Sequence, residues 1–142
     1  VIDTLCRDAT IIKASKSDLA HIFPGQTIEQ AAGYILRAGA KAVLVTMGDE
    51  GAAYQVGGAK IRYVPALELN CPYADKNPVG GGDAFSAGVI ASYQTLDDLP
   101  QAVIFGNAVA ALVVSADGGC EEKRMPSSVM VAQKLNGRMS PA

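Results

Sequence analysis

Apolar positions along this chain follow two periods, and polar or glycine residues mark where one gives way to the other. Ile28, Ala31, Ala32, Ile35 and Leu36 share one face of a helix that opens at the capping signal Thr27-Ile28-Glu29-Gln30 and stops at Gly39, a glycine suited to a left-handed C-terminal stop. Ser15-Lys16-Ser17-Asp18 has capping-box spacing and predicts a shorter helix through Ile22, ended by Pro24-Gly25. Ala42-Val43-Leu44-Val45-Thr46 is apolar without alternation, the pattern of a strand covered on both faces in a parallel sheet. Residues 1–4 and 10–13 predict two short strands ahead of it. Residues 52–56 and 60–64 flank Gly57-Gly58-Ala59 and predict a hairpin, with one more short strand at 67–69.

The remainder reads as helical. Residues 82–93 are apolar on nearly all sides, as a central helix would be. Asp97-Asp98-Leu99-Pro100 combines an acidic cap with a first-turn proline and predicts a helix running to Ser115. Asp117-Gly118-Gly119 makes a turn, and Ser127 or Ser128 opens a last helix that Gly137 closes. The order strand, helix, strand, hairpin, helix, helix predicts an α/β fold with helices packed on a mostly parallel sheet. A single domain over residues 1–142 is expected.

Composition changes this picture only at its margins. A chain of 142 residues that is 49% hydrophobic can bury one ordinary core. A net charge of −2 leaves no basic footprint for nucleic acid. No run approaches the roughly 18 apolar residues of a membrane span, and the longest, residues 108–114, reads as buried helix. Cys6, Cys71 and Cys120 are widely spaced, without a Cys-x-x-Cys, and read as reduced thiols of a cytoplasmic protein. His21 reads as an ordinary surface or packed histidine. The chain starts at Val1 without a methionine and is expected to be a piece of a longer protein.

Chemistry concentrates in Asn77-Pro78-Val79-Gly80-Gly81-Gly82-Asp83-Ala84-Phe85-Ser86-Ala87-Gly88. Glycines let another group approach the backbone amides closely. A helix starting there aims its free N–H groups and positive dipole end at the same space, which makes an anion site. Asp83 follows at once, placed to act as a general base beside that anion. The arrangement is neither Walker A nor the Rossmann fingerprint, which would need glycine where Phe85 stands. It reads as the catalytic turn of a phosphotransferase.

Those residues closely resemble the second signature of the ribokinase-like (PfkB) carbohydrate kinases, Asp-Thr-x-Gly-Ala-Gly-Asp. Val45-Thr46-Met47-Gly48-Asp49-Glu50-Gly51-Ala52 resembles that family's Val-Thr-x-Gly-x-x-Gly nucleotide loop, and Phe105-Gly106-Asn107-Ala108-Val109-Ala110-Ala111-Leu112 its Ala-Asn-Ala-Ala-Ala-Ala-Leu helix. The resemblance implies the C-terminal part of a three-layer ribokinase-like fold, without the first half that carries most sugar contacts and the lid. It implies Asp83 as catalytic base, Gly80, Gly81 and Gly82 as anion hole, and Thr46, Gly48, Gly51 and Asn107 in the ATP site. Residues 13–18 stand where the family has Lys-Pro-Asn-x-x-Glu, so Asp18 is implied as an indirect organiser of magnesium. ATP, Mg2+ and a monovalent cation are the implied cofactors, a sugar or sugar phosphate the substrate, and a homo-dimer the implied assembly.

Departures from the pattern carry information too. An Asn77-Pro78-Val79-Gly80 opening is similar to the tagatose-6-phosphate and fructose-1-phosphate kinase branch, which implies a phosphorylated hexose. Ser15 replaces the asparagine of the magnesium motif and Asp18 its glutamate. The alternative reading is an inactive or nucleotide-binding-only remnant of such a kinase. A remoter one is a kinase of the same fold acting on a vitamin precursor.

Overall fold

The computed structural model describes residues 1–68, 78–115 and 125–137. The chain forms two compact units, Val1–Pro65 and Ala66–Ala142. The first contains α1 (Ile2–Arg7), β1 (Ile11–Ser15), α2 (Lys16–Ile22), α3 (Ile28–Arg37), β2 (Ala42–Thr46), β3 (Ala52–Val56) and β4 (Arg62–Val64), with a 3-10 turn at Gly48–Glu50. The second contains α4 (Gly81–Ser92), α5 (Leu99–Val114) and α6 (Ser128–Gly137), with a 3-10 turn at Leu96–Asp98.

In the first unit the strands lie in the order β1-β2-β3-β4. β1 pairs with β2 in parallel, Ile11 opposite Ala42 and Ser15 opposite Thr46. The next two pairings are antiparallel, so the sheet is mixed and the expectation of a mostly parallel one is corrected. Connection length is the reason. The stretch from β1 to β2 holds two helices, enough for a crossover, whereas the turns after β2 and β3 are far too short for one and must reverse the chain. Gly57, at φ 48°, makes the second reversal. Gln55 Nε2 donates to the Ala59 carbonyl at 2.8 Å across it.

Both capping boxes form. Ser15 Oγ accepts from the Asp18 amide at 3.0 Å while Asp18 Oδ2 accepts from the Ser15 amide at 2.9 Å. Thr27 and Gln30 exchange the same pair of bonds at the start of α3. The face of the sheet carrying Ile12, Ala14, Val43, Val45 and Ala53 packs with Leu19, Ala32 and Ile35 of α2 and α3 in one core. The expected strand at residues 1–4 is instead the start of α1. Cys6 lies one turn from Ile2, and both join that core. Asp3 and Arg7 complement the two ends of the dipole, and Tyr34 donates from its hydroxyl to Asp3 at 2.8 Å. A six-residue helix has little stability of its own, and this one is held by those contacts. Burial, then the nearby Asp3 charge, pushes the Cys6 thiol pKa up.

In the second unit α4 and α5 are antiparallel and unusually close. A Cβ on Gly88 would stand 2.8 Å from the Gly106 Cα, and one on Gly81 would stand 2.9 Å from a Val114 methyl. Leu67, Ala84, Val109, Val113 and Val131 share a core to which α4, α5 and α6 all contribute. Residues 67 and 68 form no strand; Leu67 is buried as a single anchor, and residue 69 lies outside the described residues. The expected turn at 117–119 lies outside them as well, as do Cys71 and Cys120.

The start of α5 also differs from expectation. Asp98 accepts from the Thr95 amide at 2.9 Å instead of capping forward, so Thr95 and Asp98 cap a 3-10 turn that leads into the helix. The helical stretch Leu96–Val114 is thereby 19 residues, long and apolar enough to cross a bilayer by length and composition alone. Counting contiguous apolar runs misses this. Within the unit Leu99, Ala102, Val103, Gly106, Val109 and Val113 are buried at the three- and four-residue spacing of a packed face.

Two expectations follow for stability. Gly88→Ala places a methyl against backbone that cannot swing aside, so the overpacking cost of about 1–3 kcal/mol outweighs a helix-propensity gain of roughly 1 kcal/mol; Gly88→Leu should prevent folding of the unit. Urea unfolding of both variants reads this directly. The second concerns Tyr63, whose hydroxyl donates to Glu29 and ties the hairpin to α3. That bond pushes the Tyr63 pKa up to about 12 and lowers that of Glu29. The tie is therefore fully present between the ordinary glutamate pKa of about 4 and the ordinary tyrosine pKa of about 10, weakens in acid as Glu29 takes a proton, and is lost as pH rises through about 12. Ultraviolet titration should show a tyrosine ionising at about 12 that Tyr63→Phe removes, while Tyr34, itself raised by its bond to Asp3, remains.

Candidate functional site

Two groups of the expected site residues assemble, one in each unit. In the first, the register that sets Ser15 opposite Thr46 brings the carboxyl ends of parallel β1 and β2 side by side. In open α/β sheets that edge is where ligands bind. Thr46 is half-buried at the end of β2, and Gly48 is exposed just beyond it. The turn closes on itself: the Met47 amide donates to the Gly51 carbonyl at 2.8 Å, and the Gly51 amide to that of Gly48 at 3.1 Å. Gly48 at φ 64° and Gly51 at φ 100° make it possible.

Asp18 stands on the first turn of α2, beside this edge. Its carboxylate accepts from the Ser15 amide, and Ser15 Oγ also lies 2.8 Å from Ser17 Oγ. Hydrogen bonding by the Ser15 side chain, then by its amide, holds the Asp18 carboxyl below its usual range. Asp18 is thus ionised but engaged in a cap. No group of three His, Cys, Asp or Glu side chains that could hold a metal occurs among the described residues. The chemistry of the set suits magnesium only in the way that cation usually binds, through a carboxylate and its own waters together with substrate phosphates. Lys16 belongs to this place as well, and reading the sequence did not single it out. Its Nζ meets Glu50 Oε1 at 2.5 Å across 34 residues of chain. The available signal was a lysine in the first turn of a helix, opposed to the dipole.

In the second unit, α4 opens differently from its neighbours. Ser15, Thr27 and Ser127 each place a hydroxyl on a first-turn amide of α2, α3 and α6. Gly80 has no side chain to do so, and the start of α4 carries no side-chain cap. Gly80 sits in the left-handed region at φ 83°, and the Gly81 amide donates to the Pro78 carbonyl at 3.2 Å. Gly81, Gly82 and Asp83 form the first turn, where amides point out of the helix end. The Asp83 carboxylate is exposed. Because α5 runs antiparallel, its C-terminal end at Val114 lies beside Gly81. Asn107 stands two turns back from there, about 10 Å along the axis. It is the one buried polar side chain among the described residues, and it is engaged with another group of the protein. Asn77 lies outside the described residues.

The second unit can therefore offer an uncapped helix N-terminus with an adjoining carboxylate, and the first a glycine turn at a sheet edge. The profile described as pfkB family carbohydrate kinase matches residues 1–125. The chain is 31% identical over 96 residues to a cytidine kinase from Thermococcus kodakarensis, covering 68% of this chain and 34% of that protein. It is 31% identical over 112 residues to a 2-dehydro-3-deoxygluconokinase from Bacillus subtilis, covering 77% and 33%. The chain thus spans about a third of the length of these curated relatives. A putative ribokinase II from E. coli, solved with ATP and Mg2+, superposes on 96% of this chain with 42% of its own, at a TM-score of 0.80 and 24% identity. That likeness shows the fold.

The positive φ at Gly80 has a measurable consequence. Gly80→Ala should lose about 1–2 kcal/mol by forcing a side chain into the left-handed region. Gly58→Ala, where a Cβ would meet nothing within 4 Å and φ is not positive, is the control expected to stay neutral in the same urea titration.

Proposed function

The chain belongs to the pfkB family of carbohydrate kinases, and from that premise we propose that it is the ATP-binding, base-carrying part of a kinase that phosphorylates a hydroxyl of a sugar or sugar phosphate. The observation that carries this reading is the uncapped start of α4, with Gly80, Gly81 and Gly82 before an exposed Asp83. A helix start that takes no side-chain cap favours a phosphoryl oxygen, and an exposed carboxylate beside it is placed to accept a proton. Thr46, Gly48 and Gly51 line the nucleotide in this reading, and Asn107 serves it from α5.

The reaction is an in-line displacement. The acceptor hydroxyl oxygen forms a bond to the γ-phosphorus as the bond from that phosphorus to the bridging oxygen breaks, and ADP leaves. Asp83 takes the hydroxyl proton. The amides at the glycine-rich start of α4, Gly80 to Gly82, would stabilise charge on the equatorial oxygens of the transferring group, with that of Gly81 exchanging its bond to the Pro78 carbonyl. Magnesium, when bound with the nucleotide, neutralises phosphate charge, and Asp18 would hold its waters. A cytoplasmic location agrees with the ATP supply that this chemistry needs.

The Asn77-Pro78-Val79-Gly80 opening supports a phosphorylated hexose as acceptor. The commitment of Asp18 to a cap favours a second reading, a nucleotide-binding remnant.

In the full-length protein Asp83→Asn should lower phosphotransfer by about 10²–10⁴-fold, the usual contribution of a general base, while calorimetry shows Mg-ATP still binding. Full activity in that variant would remove Asp83 from the mechanism. Mg-ATP binding without any transfer in the unsubstituted protein would favour the remnant.

A further inference from the structure

We propose that Lys16 and Glu50 form a latch that holds the glycine turn at residues 47–51 in its ligand-ready form, making both of them positioning residues for the nucleotide. The inference rests on the nucleotide reading of that turn. Lys16 Nζ and Glu50 Oε1 are 2.5 Å apart, and they are the ion pair found among the described residues. They join the first turn of α2 to a 3-10 turn that otherwise rests on a few backbone bonds.

Each partner is badly placed without the other. Lys16 is the first residue of α2, where a cation opposes the positive end of the dipole. Glu50 follows Asp49 in an exposed turn, so two carboxylates would stand beside any phosphate bound at this sheet edge. Pairing answers both conflicts. It removes one negative charge from the turn and draws residues 48–50 towards the carboxyl end of β1. Both side chains keep more than half of their surface in water, at 52% and 57%. An ion pair so exposed adds little to global stability. Its effect is local, on where the turn sits.

The test is a charge-swap series on the protein, read by calorimetry with Mg-ATP and by amide hydrogen exchange at Glu50 and Gly51. Lys16→Ala and Glu50→Ala should each weaken Mg-ATP by about twofold to fivefold, the range that coupling of an exposed pair allows, and each should speed exchange of the turn amides. The double variant Lys16→Glu with Glu50→Lys should restore both, and the thermal midpoint should stay unchanged throughout. High salt should mimic the single variants. Tighter binding in Glu50→Ala, with weaker binding in Lys16→Ala, would overturn the latch by showing that Lys16 serves phosphate directly and Glu50 competes for it. Unchanged exchange in both single variants would also overturn it. If the unsubstituted protein binds no Mg-ATP, the nucleotide reading falls and the affinity effect with it, while exchange still decides whether the pair holds the turn.

Discussion

The second unit depends on one steric condition, the near-contact of α4 and α5 at Gly88 and Gly106. Any side chain at either position would meet backbone or a Val89 or Val109 methyl at under 3 Å. Helices that approach this closely interlock along their length. The condition therefore decides more than the crossing point. It seats Gly81 against Val114 seven residues before Gly88, and with it the start of α4. Helix dipoles that run antiparallel attract, so the positive end of α4 beside the negative end of α5 suits the pairing. The start of α4 is held still by packing that lies two turns away from it.

The first unit obeys a different constraint, the length of its connections. Two capped helices separate β1 from β2 and permit a parallel pair. Short glycine turns follow and forbid another. Only the parallel pair presents two carboxyl ends at one edge, and that is where Ser15, Asp18, Thr46 and Gly48 meet. Caps and site share residues there. Ser15 ends β1, opens α2 and orders Asp18, so a single hydroxyl serves strand, helix and the neighbourhood of the glycine turn.

Local signals were legible where a residue acts within one turn of itself. The capping boxes at Ser15 and Thr27, the stop at Gly39, the buried run of β2 and the hairpin at Gly57 all stand where spacing predicted them. The failures share a cause. Residues 1–4 have strand-like composition, but Cys6 and Ile2 find a core as a helix, and Tyr34, far along the chain, supplies Asp3 with a partner. Asp98 looks like a forward cap and instead turns back to Thr95. The site divides in the same way. Asp83 and its glycines, Thr46 and Gly48 could be proposed from sequence because their motif spacing is local, whereas Lys16 could not, since its partner Glu50 lies 34 residues on.

The amino-acid sequence alone determined the family and the order of most elements, because caps, glycine turns and apolar periods act over a few residues and need no distant partner. Tertiary structure decided the direction of the strands, the helical state of the first residues, the close seating of α4 on α5 and the pairing of Lys16 with Glu50. Each of these is settled by contacts between segments that no local pattern records, and by the space left once those segments have packed.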